Sequence, residues 1–403
     1  IITGGHNHKD QLTYAWKVLL QNAPHDSICG CSIDEVHREM ETRFAKVNQV
    51  GNFVKTNLLN EWKGKLATQN AQSDHLFTVV NTTLHDKVDT VSVVVDVVTC
   101  DFKELHPTEG YKKMAAVTLP DYHVEDLDGH VLEAKIEDLG ASFGYTLPKD
   151  KFRQPYIARQ VRVTIPVHLA PLSWASFQLV EGQVEYRDGI YQNGVIDTFV
   201  TVSVDEGITL YDKTTNEAYE DFIQFEDRGD IGNEYIYFQP KGTDPIYAQL
   251  KGYEVLENNA RYAKILLKHD LTIPVSADEK LDAEQRGIIE FMKRDAGRSE
   301  ELTTIPLETE MTVFVDNPQI RFKTRFTNTA KDHRIRLLVK THNTRPSNDS
   351  ESIYEVVTRP NKPAASWENP ENPQHQQAFV SLYDDVKGVT VSNKGLHEYE
   401  ILG

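Results

Sequence analysis

Apolar residues recur at helical intervals in the first part of the chain and at alternating intervals in the rest. From Asp10 to about Ala23, Leu12, Ala15, Trp16, Leu19 and Leu20 lie three and four residues apart, which predicts a helix with Asp10 as its N-cap, ended by Pro24. A second stripe, Ile33, Val36, Met40, Phe44, Val47, Val54, Leu58 and Trp62, follows Ser32 and Glu35, which have the S-x-x-E spacing of a capping box. That helix is expected to run to about Ala67, and the two together predict a helical hairpin or bundle over residues 1–73.

Beyond "ATQNAQSDH" the period changes. "LFTVVNTT", "TVSVVVDVVT", "HVLEAKIEDL", "ARQVRVTIPVH" and "WASFQLVEG" are β-branched and aromatic runs separated by turn residues, the pattern of a β-sandwich over 74–181. Strand signals resume after "EGQVEYRDGIYQNG" and continue through "DTFVTVSVD", "NEYIYFQP", "MTVFVDNPQIRFKTRFTN", "RIRLLVKT" and "QQAFVSLYDD". They predict a larger antiparallel supersandwich over 182–403, expected to run off the C-terminal end. Around the turn at Asp316 to Gln319, Ile320, Phe322, Thr324 and Phe326 alternate with Arg321, Lys323 and Arg325, so one face should be buried and the other wet. The fold class is therefore α+β, mostly β.

Composition narrows the classes of function. Sixty-one acidic against 43 basic residues give a formal charge of -18, which repels polyanions and makes nucleic acid an unfavourable partner. No apolar run approaches the ~20 residues of a membrane span and no export signal opens the chain, so the expected compartment is the cytoplasm. The opening "IITGGHNHKD" without Met and the ending "HEYEILG" directly after a strand pattern suggest a fragment.

Candidate chemistry concentrates in "NAPHDSICGCSIDEVHREM". His25 and Asp26 follow a helix-ending proline, so a turn would present an imidazole and a carboxylate side by side, suited to a metal ligand next to a substrate-gripping acid. A lone His-Asp pair equally suits a structural role, such as donation to a backbone carbonyl. Cys29 and Cys31, separated by Gly30, are expected to be small packing residues poorly placed to bridge each other, and no second cluster completes a four-ligand zinc set. "EDRGDIGNEYIYFQP" has the carboxylates and glycines of an exposed acidic loop or a binding loop, without EF-hand spacing. Arg334 and Arg336 in "RIRLLVKTHNT" are expected on the solvated face of a strand. There is no P-loop, dinucleotide-binding glycine motif or H-E-x-x-H.

The run "PHDSICGCSIDEVHREM" resembles the segment following the catalytic domain in the α-mannosidases of glycoside hydrolase family 38, where a His-Asp pair opens an H-D-x-I-x-G loop. "YAWKVLLQNA", "EDRGDIGNEYIYFQP", "RIRLLVKTHNT" and "YEVVTRP" are similar to bacterial members, so the resemblance covers nearly the whole chain. It implies a galactose-mutarotase-like supersandwich and a zinc cofactor for which His25 is one of four ligands, with Asp26 holding sugar hydroxyls and Tyr235 approaching the sugar. It also implies a retaining mechanism with two carboxylates ~5 Å apart. In that family the nucleophile, the general acid and three zinc ligands belong to an N-terminal barrel outside this chain. The chain is thus expected to be the middle and C-terminal part of an α-mannosidase, inactive alone. Its expected partners are an α-mannoside, the N-terminal catalytic domain and a second copy in a homodimer, with no nucleic acid and no membrane. A reading of a different class is a carbohydrate-binding or scaffolding β module without catalysis, since sandwiches host both.

Overall fold

The computed structural model describes residues 7–63, 73–148, 150–185, 188–204, 207–233, 235–315, 317–362 and 373–402. Two compact units divide the chain, the first comprising 1–82, 92–163 and 172–182, the second 83–91, 164–171 and 183–403.

The first unit opens with helices α1 (Lys9–Leu20), α2 (His25–Ile28) and α3 (Asp34–Lys63), of which α1 and α3 pack together. Ala15, Met40 and Val54 are buried, so the expected hairpin forms from the expected stripe. Its caps differ from expectation. Residue His8, not Asp10, occupies the N-cap of α1, and Asp10 lies in the first turn where its charge opposes the positive end of the helix dipole. In front of α3, Ser32 sits one residue too early to cap a helix whose first residue is Asp34, and its buried Oγ has no hydrogen-bond partner among the described residues. The capping box is therefore absent. The expected helix end near Ala67 lies outside the described residues.

Strands β1 (Leu76–Val80), β2 (Lys87–Asp101), β3 (Tyr122–Asp126), β4 (Val131–Leu132), β5 (Lys135–Thr146), β6 (Gln154–Leu169) and β7 (Trp174–Glu181) form two sheets, in the orders β1-β7-β3-β4 and β2-β6-β5. Along β6, Val161, Val163, Ile165, Val167 and Leu169 are buried at every second position, the alternation that the sequence displays. A helix absent from the sequence reading, α4 (Pro107–Ala115), begins at a proline in its first turn and is capped by the His106 ring, which accepts from the Thr108 amide. It buries Met114 against Cys100 and Ile157. The sequence reading found no G-x-S-x-G, but Gly140 to Gly144 spell one; they lie inside β5 rather than at a strand-to-helix turn, so no nucleophile elbow forms.

In the second unit the strands Gln249–Asn258, Tyr262–Pro274, Leu302–Phe314 and Ile320–Arg325, hydrogen-bonded in that order, form one sheet. Ile265, Leu267, Met311 and Val313 from this sheet share one core with Val202 and Leu210 of a second sheet spanning Tyr191–Tyr219. Leu271, Ile273, Ile305 and Leu307 share another with Phe225, on the strand Ile223–Gly229, which pairs with His333–Val339. Each such side chain, fully removed from water, contributes about 1.5–3 kcal/mol. This is the layered β architecture the sequence led us to expect. Phe322 and Thr324 turn inward as their alternation predicts, while Phe326 lies beyond the strand and is exposed. Asp316, in the expected turn, lies outside the described residues.

Candidate functional site

Pro24 both follows α1 and opens α2, because its fixed backbone angle suits the position ahead of a helix. The turn after α1 is thus itself helical: the Ile28 amide donates to the Pro24 carbonyl at 2.9 Å and the Cys29 amide to that of His25 at 3.1 Å. His25 and Asp26 are 94% and 66% exposed, with Nε2 of the imidazole 3.2 Å from Oδ1 of the carboxylate. Behind them Asn22 is buried and donates to the Met40 carbonyl at 3.1 Å, tying the segment to α3.

The two cysteines do not pack inside as expected. Both are exposed, and Gly30, at φ +86°, bends the backbone so that their Sγ atoms stand 3.1 Å apart. The Cys31 thiol donates to Asp26 Oδ1 at 3.7 Å. An exposed imidazole beside a carboxylate fits one contributed zinc ligand. It is not a metal site by itself, since the described residues gather no set of three donors around His25.

The second unit corrects two expectations. Glu226 and Asp227 lie in the strand Ile223–Gly229 and are buried, not part of an exposed acidic loop. Asp227 is held by Arg298 at 2.6 Å and by His333 at 2.5 Å. Glu226 accepts from Arg228 at 3.0 Å and Arg336 at 2.5 Å. Burial alone would push the Glu226 carboxyl up, but the two guanidinium groups outweigh it and hold it below its ordinary value. Arg336 also reaches Glu400 at 2.7 Å, and Arg334 lies 3.4 Å from the centroid of the Tyr237 ring, so neither arginine belongs to a solvated face. Their acceptors come from distant segments, which strand periodicity does not reveal.

Beyond the strand Ile223–Gly229, side chains bind the backbone of residues 230–233 and 235–238. Asp230 Oδ1 accepts from the amides of Gly232 and Phe238 at 2.8 and 3.1 Å, and Arg294 donates to the carbonyls of Ile231 and Gly232 at 2.6 and 2.5 Å. Asn233 Oδ1 accepts from the amides of Tyr235 and Ile236, each at 2.9 Å. Tyr235 stands at the crest, 70% exposed. A ring presented in this way can cover an apolar ligand face.

A further cluster escaped the sequence reading. Asp126, Asp128 and His130 bring three possible donors together in the first unit. Asp126 Oδ1 accepts from the amides of Asp128 and His130, and its Oδ2 lies 2.9 Å from His130 Nδ1. The hydrogen bonds close the β3–β4 turn, and D-x-D-x-H was the available signal.

Comparison with known proteins adds identity to this geometry. Family models match residues 1–60 (alpha mannosidase middle domain), 72–181 (glycosyl hydrolases family 38 C-terminal domain 1) and 193–403 (glycosyl hydrolases family 38 C-terminal domain). A protein of Halalkalibacterium halodurans described as a "putative mannosylglycerate hydrolase" is 34% identical over 98% of this chain and 46% of its own length. The crystal structure of an alpha-mannosidase from Enterococcus faecalis V583 superposes with a TM-score of 0.94 at 40% identity, covering 100% of this chain and 46% of the other. A second Enterococcus faecalis structure, of a protein in glycosyl hydrolase family 38, gives 0.90 at 37% identity, covering 100% and 48%. The chain spans about half the length of these relatives. Matched by the C-terminal model over residues 193–403, more than half of its length, the chain belongs to glycosyl hydrolase family 38.

Proposed function

We propose that this chain is the middle and C-terminal part of a zinc-dependent retaining α-mannosidase that hydrolyses terminal α-mannosides. The observation that carries this reading is the exposed, adjacent His25–Asp26 pair in a chain that aligns over 98% of its length with a mannosylglycerate-hydrolase relative. His25 would contribute one ligand to zinc, and the remaining ligands, the nucleophile and the general acid would come from outside these residues. When bound, zinc supplies a positive charge that orients sugar hydroxyls and favours the charge developing on the ring. Asp26 accepts hydrogen bonds from hydroxyls of the same sugar, and the Tyr235 ring covers part of it. By itself the chain binds zinc weakly and turns nothing over, because a single ligand supplies neither geometry nor compensating charge.

Release of nitrophenol from a nitrophenyl α-mannoside tests this reading, using this chain and a version extended at its N-terminus, each with and without zinc. Turnover is expected only from the extended protein with zinc, and His25→Ala should lower it by about 10²-fold or more, alongside its zinc affinity. Undiminished turnover in that variant would remove His25 from the site, and turnover by this chain alone would overturn the assignment of the nucleophile.

A further inference from the structure

The thiols of Cys29 and Cys31 have no part in the reading above, yet their placement is specific. Gly30 occupies the left-handed region and has nothing within 4 Å of the position a Cβ would take, so the bend between the cysteines is unstrained and open. The Cys29 amide donates to the His25 carbonyl and the Cys31 amide to the Asp26 carbonyl, each at 3.1 Å, which fixes both ends of the three-residue arc on α2. Both side chains are exposed and their sulfurs are 3.1 Å apart, about 1 Å beyond bonding distance. Cys100 is buried beneath α4 and separate from the pair.

We propose that Cys29 and Cys31 form a reversible dithiol–disulfide couple, a modification site that reacts with small-molecule disulfides. The thiolate of one cysteine attacks the disulfide of a low-molecular-weight oxidant, releasing one thiol and leaving a mixed disulfide. The thiolate of the other then attacks the protein sulfur of that bond, releasing the second thiol and closing the Cys29–Cys31 bond. Two protein thiols lose two electrons and two protons, and one small disulfide gains them. The product is exposed and spans a short loop, so it gains little from loop closure and reopens readily with excess thiol. Oxidation also removes the S–H that Cys31 donates to Asp26, so the couple changes the donors around that carboxylate. The effect on sugar binding rests on the function proposed above; the thiol chemistry does not.

The test uses the reduced chain incubated with oxidised glutathione, quenched in acid, alkylated after denaturation and digested with trypsin. The peptide from Val18 to Arg38 carries both cysteines, and Cys100 falls in another. The expected product is that peptide unalkylated and lighter by two hydrogens, in about tenfold excess over glutathione adducts, because a neighbouring thiol acts at high effective concentration. Cys100 should be alkylated throughout. Cys29→Ser and Cys31→Ser should each stop at a glutathione adduct on the remaining cysteine. Wild-type chain that retains two alkylated thiols, or that accumulates the adduct without ring closure, would overturn the proposal. So would single variants that form no adduct. All readouts are masses of this chain, so a failed mannosidase assay leaves the result interpretable.

Discussion

Asp227 is fully buried between Arg298 and His333, and Arg298 has no other hydrogen-bonded acceptor among the described residues. Removing one member of such a group strands a charge in a medium that solvates it poorly. Asp227→Ala is therefore expected to destabilise the second unit by about 3–5 kcal/mol, seen as a lower midpoint in urea. His269 presents the opposite case, a buried ring whose Nδ1 has no hydrogen-bond partner among the described residues and which meets the Phe225 ring in a T-shaped contact. Burial pushes its pKa below the ordinary 6.5. The unfolded chain takes up that proton near pH 6.5 and the folded chain only at lower pH. Stability present above pH 6.5 is thus lost as the pH falls toward the folded value. Glu226, held below 4.5, loses its contribution in a separate, more acidic window. Urea midpoints across about pH 5–7.5 should show the upper loss in the wild type and its absence in His269→Leu, which carries no titrating ring. Little of this was legible in the sequence. Glu226 and Asp227 sit in a carboxylate-rich run that resembles a loop, and the cations that neutralise them lie at Arg298, His333 and Arg336, beyond the reach of any local pattern.

Individual strands and helices were more legible, because burial imposes a period that side-chain chemistry cannot disguise. Strand β6 announces itself by alternation, and α1 and α3 by three- and four-residue steps, whereas the strand Tyr262–Pro274 was missed and residues 235–240 of the strand signal NEYIYFQP form a loop. Helix α4 escaped because nine residues with two lysines and a glycine carry too short a stripe to be seen, although Pro107 marks its start. The candidate turn was legible as a place but not as a shape: Pro24 signalled a boundary, and the helical turn beyond it follows from amide bonds that only the folded chain displays. Backbone crowding decides the loop 230–238. A Cβ on Gly232 would lie 1.9 Å from the Ile236 carbonyl oxygen and 2.9 Å from the Phe238 amide nitrogen, neither of which can swing aside. Gly232→Ala should cost about 1–3 kcal/mol, with faster proteolytic cleavage in this loop as the local signature. Unchanged melting and cleavage would show that the loop accommodates the methyl group.

Across the whole chain, a formal charge of -18 governs encounters before any site is reached. No retention on a heparin or DNA column is expected at ~0.15 M salt, and binding there would reveal a local basic patch that the net charge conceals. No helix among the described residues is long and apolar enough to cross a membrane. The layered β architecture was legible from the spacing of strand signals, whereas which strands pair was not, because register depends on segments far apart in the chain. The ladder joining 262–274 to 302–314 pairs every residue from Tyr262 with Phe314 to Pro274 with Leu302. It continues outward through amide bonds from Val275 to Glu301, Ser299 to Ser276 and Asp278 to Gly297. A slip of one residue would turn Ile265, Leu267, Leu271 and Ile273 to the opposite face at once and expose an apolar stripe interrupted only by His269. Misregistered chains of this kind are sticky rather than merely loose, so the longest hairpin in the second unit is also the place where a translation or folding error would most readily be turned into aggregation.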